Sequence, residues 1–543
     1  MSFAHCQSLL LTHGVVRTMD PALPVADAVL IVGNRIAAVG PAAEVRLAAP
    51  AGTETLDLGR LLVLPAFTDA HVHLVEFAIS LQTIRLDDAR SREEVVARVA
   101  EAARERPPGE WILGQGWDRN LWPDPSFPHH ADLDRVAPDH PVALDSKDLH
   151  SLWVNSLALR LAGITAQTPD PPGGEIVRDA HGEPSGILKE NPARMLVRRV
   201  IPRPGPGQMR RLLQEATRRA WAQGVTAVHV PEDVPAFRLL QDLRREGALG
   251  LRVLMHLTEQ SVDGAIQAGV QSGFGDDCLR VGGVKVFLDG ALGSRTAEML
   301  EPYLTEPGNF GIPVMSDEDL HGLLLAASRA GIAAAIHAIG DRANRRALDA
   351  LERVRADEAK RDVPRDRLRH RIEHVQLLHP DDLPRLAALD VIASVQPSHA
   401  VADMEMAERY WGSERCRLAY AYGSLWRSGA RLALGSDCPV EDLNPLAGIH
   451  AAVTRRRPDG LPGPEGWNPQ ERLTVEQAVW GFTMGGAYAA GEEGQRGSIT
   501  PGKLADLVIL SEDIFRAEPD AILGTEVVAT ILDGQVVYGE ERL

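Results

Sequence analysis

The chain has 543 residues, of which 44% are hydrophobic and 24% are charged, and its formal net charge is −18 at pH 7. This strongly acidic balance argues against nucleic acid or an anionic membrane surface as a partner. No stretch approaches the ~18 consecutive apolar residues of a membrane helix, and the length exceeds one ordinary domain. We therefore expect a globular protein that acts on a small molecule.

The four cysteines are widely spaced and form no CxxC pair, which argues against a disulfide framework or a zinc finger. They are Cys6, Cys278, Cys416 and Cys438. Reduced thiols are the default in such a protein. The start of the chain lacks the basic residues, apolar core and cleavage site of a secretory signal. These features predict a cytoplasmic protein with no membrane partner.

Short β-rich segments occupy both ends of the chain. Gly33 and Asn34 separate two apolar runs, as the turn of a two-residue hairpin does, and Asp533 and Gly534 separate another pair of runs. Neither end is long enough to bury a good core by itself. We predict that residues 1–62 and 491–543 pair into one small composite β-sandwich.

Between these ends, short apolar strand candidates alternate with helix-like stretches. Near-continuous apolar strands of this kind indicate a parallel sheet, and eight of them indicate an α/β fold, the (β/α)8 or TIM barrel. The predicted barrel spans residues 63–490. Its strands lie in LPAFTDAHVHL, GVTAVHV, LRVLMHL, VGGVKVFLDG, GIAAAIHAIGD, LRHRIEHVQ, VIASVQPSH and RLALGSDCP.

The first and second predicted barrel strands are much farther apart than one helix requires. The intervening insert, about residues 78–205, is rich in tryptophan, proline and aspartate. The active site of such a barrel lies at the carboxyl ends of its strands, so an insertion after a strand lies over that face. Long insertions in compact domains are usually lids or binding elements. We predict that this insert covers the substrate.

Polar residues stand near the carboxyl ends of five predicted barrel strands. His71 and His73 are two positions apart, so in a strand they point to the same face. The fourth, fifth, sixth and eighth strands supply Lys285, His337, His374 and Asp437. Inward polar groups at strand ends are costly unless they are used. Because only the barrel brings these residues together, the set predicts a metal site.

The residue types agree with metal chemistry. Imidazole nitrogens and carboxylate oxygens hold catalytic Zn²⁺, which leaves a position for water and lowers the pKa of that water to about 7. A carboxylate beside the water can accept its proton and return it to a leaving group. Asp437 is placed for this catalytic role. His229 and His256, also in predicted strands, are interpreted as core histidines.

The chain resembles the amidohydrolase superfamily of metal-dependent hydrolases, and within it the subgroup of N-substituted formamide deformylases. The superfamily signature matches DAHVH, VKVFLDG, AIHAIGD, IEHVQ and GSDCP. The subgroup resemblance rests on GQGWD, DLHSLWVNSLAL, GGEIVRDAHGEPSGILKE, KVFLDGALGSRTA and NPQERLTVEQAV. It covers essentially the whole chain. It implies the barrel with its composite sandwich and allows a homodimer.

The resemblance also implies a binuclear site. Two Zn²⁺ ions, or another divalent metal, would be held by the six residues of the predicted metal set, with a carbamylated Lys285 as the bridge. The alternative is one metal held by His71, His73, His337 and Asp437. In that case Lys285 pairs with a carboxylate or contacts the substrate.

Six further residues are interpreted as substrate-binding, with loop capping and packing as the alternative. They are Trp117, Asp118, Asp148 and His150 in the insert, and Asp289 and Arg295 after the fourth strand.

The sequence as a whole predicts a metal-dependent hydrolase of an amide or formamide-like C–N bond in a small molecule. Metal-activated water attacks the carbon, and Asp437 acts as the general base. The alternatives are a one-metal deaminase or other cyclic-amide hydrolase, an isomerase on the same barrel, and a binding protein without activity. A serine hydrolase and a P-loop protein are disfavoured, because the chain has neither a GxSxG elbow nor a Walker lysine.

Overall fold

The computed structural model describes residues 8–202 and 204–543, so Cys6 lies outside the described residues. The amino-terminal part contains five strands and one helix. They are β1 (Ser8–Arg17), β2 (Val25–Val32), β3 (Arg35–Gly40), α1 (Ala42–Leu47), β4 (Glu54–Asp57) and β5 (Leu62–Pro65). The first barrel strand, β6 (Phe67–Asp69), and the short helix α2 (Leu74–Ser80) follow directly.

The insert contains six strands and four helices. They are β7 (Ile84–Arg85), α3 (Arg92–Glu105), β8 (Ile112–Trp117), α4 (His130–Asp134), β9 (Val142–Ser146), β10 (Ser151–Val154), α5 (Ser156–Ala162), β11 (Glu175–Arg178), β12 (Pro184–Lys189) and α6 (Glu190–Arg198). The strands form one sheet in the order β11-β12-β10-β9-β8-β7. Trp117, Trp122 and Trp153 pack together in the core on one face of this sheet.

The rest of the barrel follows. Its strands are β13 (Val225–Pro231), β14 (Arg252–Thr258), β15 (Leu279–Phe287), β16 (Ala333–Ala338), β17 (Arg371–His374), β18 (Ile392–Val395) and β19 (Leu432–Leu434). The helices between them are α7 (Pro206–Ala222), α8 (Val234–Arg245), α9 (Glu259–Gln267), α10 (Asp317–Arg329), α11 (Asp341–Lys360), α12 (Leu383–Ala388), α13 (Pro397–Tyr410), α14 (Ser413–Cys416) and α15 (Tyr422–Arg427).

After the last barrel strand come three helices and three strands. They are α16 (Pro445–Thr454), α17 (Val475–Trp480), α18 (Gly486–Ala489), β20 (Leu507–Leu510), β21 (Val527–Leu532) and β22 (Gln535–Tyr538). A π-helical segment, Gly481–Gly485, joins α17 to α18.

The predicted eight-stranded barrel is confirmed. The sheet runs in the order β19-β18-β17-β16-β15-β14-β13-β6, and all its neighbouring strands are parallel. The two ends of the sheet meet where Ala70 N donates to Leu434 O at 3.0 Å. Because each strand is apolar and buried on both faces, the helices lie outside and the polar strand ends gather at one rim.

The predicted pairing of the two chain ends is also observed. The strands of both ends share one eight-stranded sheet, β22-β21-β20-β5-β1-β2-β3, with β4 beside β1. The sheet folds over a core that contains Leu9, Ile31, Leu507 and Ile531. Arg252 of the barrel pairs with Asp506 at 2.5 Å, and both side chains are buried, so the sheet is held to the barrel.

Three remaining properties concern the whole chain. Cys278, Cys416 and Cys438 are free thiols. Over residues 8–202 and 204–543, no helix has both the length and the apolar character needed to cross a membrane. His229 and His256 are buried inside the barrel, where His229 Nδ1 lies 2.9 Å from Arg371 Nη1 and His256 Nδ1 accepts from Gly283 N at 2.9 Å.

Candidate metal centre

The predicted metal ligands gather at the carboxyl-terminal rim of the barrel, and the backbone after the strands directs them there. Asp69, at the end of β6, accepts hydrogen bonds from His71 N at 3.1 Å and Ser436 N at 3.0 Å. It thus ties the loop after β6 to the loop after β19. His374 and Asp437 have φ angles of 77° and 60°. Residues other than glycine seldom adopt such angles, which often mark functional sites.

Asp437 lies between two pairs of histidines. Its Oδ1 is 3.5 Å from His71 Nε2 and 3.3 Å from His73 Nε2. Its Oδ2 is 4.0 Å from His374 Nδ1 and 3.6 Å from His399 Nε2. Each oxygen of one buried carboxylate therefore faces a different pair of imidazoles.

The first of these pairs fits a divalent metal. Two ligands of a tetrahedral zinc ion at 2.0–2.2 Å lie about 3.4 Å apart, close to the distances from Oδ1 to His71 and His73. Asp437 Oδ1 is buried and has no hydrogen-bond partner among the described residues. An unpartnered buried carboxylate oxygen is costly unless a cation compensates it.

The protonation of these groups suits metal binding. Burial lowers the pKa of His71 to about 4 and that of His374 well below its usual range, so both imidazoles are neutral and keep a lone pair. Burial raises the pKa of Asp437, but His73, His374 and His71 together hold it well below its usual range. The carboxylate is therefore ionised.

Lys285 and His337 lie at the same rim. Lys285 Nζ is 3.3 Å from His71 Nε2, and burial lowers the pKa of its amine to about 8. The His337 ring centre is 4.6 Å from that of His374, while its Nε2 lies 3.1 Å from Gly290 O. In this structure Nε2 of His337 is hydrogen-bonded to the carbonyl oxygen of Gly290, so the other ring nitrogen, Nδ1, is the one that could bind a ligand.

A cavity that is open to solvent lies above these residues. The insert and the barrel each form part of its wall. The insert supplies Trp117, Asp118, Arg119, Asn120, Phe127, Ser146, Lys147, Asp148, His150 and Ser151. The barrel and its loops supply Ala291, Leu292, Gly293, Ser294, His337, Ile339, His374, Gln376, His399, Asp403, Met406, Asp437, Val440 and Glu441.

The structure brings four of the six predicted substrate residues to this wall. Trp117, Asp118, Asp148 and His150 line the cavity. Trp117 is also anchored by a bond from its Nε1 to Leu144 O at 2.8 Å, and Asp148 Oδ1 accepts from His150 N at 3.0 Å. Trp117 and Asp148 therefore make packing or capping contacts and also line the cavity.

Asp289 and Arg295 do not line the cavity. Asp289 is 1% exposed, and its carboxylate accepts bonds from the backbone of Glu298, Ile339 and Gly340, so it braces the loop after β16. Arg295 is turned toward Glu306, with an ion pair of 2.5 Å. In this structure these two residues make capping and packing contacts.

Three residues near the centre were not singled out from the sequence. His399 lies in the first turn of α13, Glu373 precedes His374 in β17, and Glu190 begins α6. His399 carried the same signal as the predicted ligands, because it closely follows the seventh barrel strand. Glu373 and Glu190 carried no such signal, because their partners, His71 and His150, are remote in the chain.

Comparison with known proteins gives a consistent result. A model described as the amidohydrolase family matches residues 54–538. The protein LONG AFTER FAR-RED 3 of Arabidopsis thaliana is 36% identical over 546 aligned positions, which cover 98% of this chain and 91% of that protein. The N-substituted formamide deformylase of Arthrobacter pascens is 30% identical over 560 positions, which cover 98% of each chain.

A solved structure shares the architecture. An uncharacterized metal-dependent hydrolase from Pyrococcus furiosus is 29% identical, with a TM-score of 0.73. The match covers 94% of this chain and 100% of that one.

Proposed function

Since the chain belongs to the amidohydrolase family, we propose that it is a metal-dependent hydrolase of a C–N bond in a small amide or formamide-like molecule. One observation carries the proposal. Asp437 lines the cavity, and its buried, ionised Oδ1 faces His71 and His73. This arrangement is suited to holding a metal and to moving a proton beside it.

We assign the metal to residues of the rim. His71, His73 and Asp437 would hold one ion; in the binuclear form, His337, His374 and a carbamylated Lys285 would contribute to a second. Zn²⁺ is the proposed metal, because nitrogen and oxygen ligands in small number suit it. When bound, such an ion lowers the pKa of water and polarises a carbonyl oxygen.

Asp437 is the proposed general base and acid. Its ionised carboxylate accepts the proton of the attacking water and later gives that proton to the leaving nitrogen. The carboxylate lies on a backbone with a φ of 60° and is flanked by buried imidazoles, so its position is closely defined. A base held in one place does not have to be reoriented during the reaction.

The cavity wall would orient the substrate and exclude bulk water. Trp117, Phe127, Leu292 and Met406 supply apolar surface, while Asp148 and His150 supply polar groups. The insert is fastened over the barrel: Tyr410 Oη donates to Asn120 Oδ1 at 2.8 Å, and Lys147 pairs with Glu441 at 2.8 Å. Excluding water strengthens every polar interaction inside the cavity.

The formamide-like substrate class is supported by the name of the Arthrobacter pascens relative, 98% of which aligns with this chain. A panel of N-substituted formamides and acetamides tests it. The purified chain, loaded with Zn²⁺, is incubated with each compound in ¹⁸O-labelled water, and the products are identified by mass spectrometry.

A hydrolase releases an acid that carries one ¹⁸O atom derived from solvent, together with the free amine. Products without ¹⁸O would instead indicate an isomerase. Treatment with a chelator should abolish the reaction, and added Zn²⁺ should restore it. If the zinc-loaded protein cleaves no compound with a C–N bond, the proposed function is wrong.

A further inference from the structure

Arg119 brings a buried positive charge to the wall of the cavity. It lies in the short 3₁₀ segment Arg119–Leu121, directly after β8, and belongs to the part of the wall that the insert forms. The residue is only 5% exposed. Among residues 8–202 and 204–543, no carboxylate lies within ion-pairing distance of its guanidinium. A buried charge without a counter-ion is costly, so this placement needs a physical reason.

Most of the other buried arginines in the described chain pair with a carboxylate. The pairs are Arg194–Asp145, Arg252–Asp506, Arg355–Glu358, Arg371–Glu373 and Arg496–Glu492. Arg455 has no such pair, but it lies away from the cavity and donates to the carbonyl oxygens of Tyr420 and Trp467. Within the residues that the structure describes, Arg119 alone combines a missing carboxylate with a place on the cavity wall.

Most of the donor capacity of Arg119 is unused. A guanidinium has five N–H groups in one plane. Nη1 donates to Pro125 O, while Nη2 reaches Gly293 O only at 3.5 Å, the outer limit of a hydrogen bond. The guanidinium carbon lies 4.0 Å from the ring centre of Phe127. An aromatic ring covers the face of the plane and leaves the donors at its edge, so these donors remain for a ligand in the cavity.

Apart from the metal ligands, the other charged side chains of the wall have partners. They are Lys147 with Glu441, Asp118 with Asn120, Asp148 with Ser146, and Asp403 with Tyr420. Burial and the nearby Arg295 lower the pKa of the Arg119 guanidinium, and Asp118 and Asp148 raise it only in part. On the described part of the wall, Arg119 is therefore the one cation whose charge is not compensated by a direct partner.

We propose that Arg119 binds a carboxylate of the substrate, so that the substrate is an amide or formamide-like compound that also carries a carboxylate. One unpaired guanidinium matches one negative charge, and its planar donors match the two oxygens of a carboxylate. Asp437 lines the same cavity, so the subsite would set the distance from the anionic group to the metal centre. The inference rests on the proposed function for the bond that is cleaved; the anion subsite does not depend on the reaction.

Ligands that cannot be hydrolysed test the subsite. Methyl ketones of increasing chain length, in which CH₂ replaces the amide NH, are prepared with a terminal carboxylate, carboxamide or trimethylammonium group. Calorimetry on the full zinc-loaded chain measures their affinities. At the best length the carboxylate should bind about 10- to 100-fold more tightly than the carboxamide, as for a hydrogen bond between charged groups. The trimethylammonium compound should bind most weakly.

The Arg119→Gln variant separates the guanidinium from the metal, which also attracts carboxylates. In this variant the preference should vanish, with weaker binding of the carboxylate and unchanged binding of the carboxamide. Arg178→Gln is the matched control, because Arg178 belongs to the same insert and pairs with Asp170 at 2.8 Å outside the cavity wall. That variant should keep the preference, and zinc content should be equal in all three proteins.

Three results would overturn the proposal. The first is no preference for the carboxylate at any chain length. The second is tightest binding of the trimethylammonium compound, which would mean that the acids of the wall dominate. The third is a folded Arg119→Gln protein that keeps the preference for the carboxylate.

A second variant covers the case in which Arg119→Gln fails to fold. Arg119→Lys keeps the charge and the long aliphatic stem but lacks the planar fork of donors. It should bind the carboxylate about tenfold more weakly than the unmodified protein does, as for the loss of one hydrogen bond. Unchanged affinity in this variant counts against the proposal.

The ketones have no C–N bond to break, so the binding result is independent of the reaction. A carboxylate preference that is lost in Arg119→Gln, without cleavage of any amide or formamide, supports the subsite and refutes the proposed function. Cleavage of neutral formamides by a protein that shows no carboxylate preference supports the proposed function and refutes the subsite.

Discussion

His71 and Glu373 meet beneath the metal site, where Nδ1 of the imidazole lies 2.9 Å from Oε2 of the carboxylate. Glu373 is fully buried and also pairs with Arg371 at 2.8 Å. Burial raises its pKa, but Arg371 and His71 hold the pKa of Glu373 well below its usual range. The proton between the two residues therefore remains on Nδ1, and the lone pair on Nε2 of His71 is available to a metal.

Replacing Glu373 should weaken metal binding. In Glu373→Gln the imidazole loses the charge that fixes its tautomer, and we expect zinc affinity to fall about 10- to 100-fold. Competition with a chromophoric chelator measures the affinity. Glu358→Gln is the matched control, because Glu358 is also buried and contacts a histidine, His370, away from the metal site. Equal affinities in the two variants would contradict the role of Glu373.

Asp437→Asn should stop the reaction without unfolding the protein. Asparagine keeps a carbonyl oxygen of similar size but cannot accept the proton of water, so kcat should fall about 10²- to 10⁴-fold with saturating metal. Steady-state kinetics on the best substrate of the panel, with elemental analysis of each sample, checks this. Turnover near the rate of the unmodified protein would show that the general base lies elsewhere.

Glu190 should matter for substrate binding rather than for metal content. It has a φ of 63°, its carboxylate contacts His150 Nδ1 at 2.8 Å, and it accepts from the Thr296 hydroxyl. Burial lowers the pKa of His150, but the carboxylate of Glu190 raises it, so that the pKa lies above its usual value. In Glu190→Gln the imidazole loses this charged partner, and we expect KM to rise about tenfold, as for loss of a charged hydrogen bond.

The control for Glu190 is Glu175→Gln. Glu175 is a partly exposed residue of the same insert sheet that pairs with Lys189, so its KM should stay unchanged. Zinc content should be equal in all three proteins. Loss of metal in Glu190→Gln, or an unaltered KM, would argue against a positioning role for Glu190.

Glu358 should stabilise the fold in a pH-dependent way. Burial raises its pKa, but hydrogen bonds with His370, Ser328 and Arg355 hold the pKa at about 2, against an ordinary value of 4.5. A carboxyl group with a depressed folded-state pKa stabilises the protein fully above its unfolded pKa. That contribution is lost as pH falls from about 4.5 toward 2.

Denaturant midpoints of the unmodified protein and Glu358→Gln, measured from pH 7 to pH 2.5, check this. The unmodified protein should be the more stable at pH 7, and the difference should shrink steadily below pH 4.5. A difference that does not change with pH would mean that the carboxylate is not the source of the stabilisation.

Much of the fold follows from local sequence pattern. Each barrel strand is a short apolar run bounded by a turn and a helix, so all eight could be located, and the alternation of strands with helices indicated the parallel order. His71, Lys285, His374 and Asp437 could be named as ligands because they stand at strand ends, which a barrel must bring to one rim. The pairing of the two chain ends followed from the inability of either to bury a core alone.

What local pattern could not determine is the direction of side chains in the loops and the partners that they meet. Asp289 follows a strand end as Asp437 follows another, yet it turns inward to brace backbone amides, while Asp437 faces the cavity. The sheet of the insert mixes parallel and antiparallel neighbours, which no periodicity encodes.

The sequence by itself determined which residues reach the rim of the barrel. Only the tertiary structure decided that Glu373 orients His71 and that His399 shares Asp437 with His374. The physical reason is that a strand end places a residue through local hydrogen bonds. The tautomer of an imidazole and the partner of a carboxylate depend on groups that arrive from distant parts of the chain.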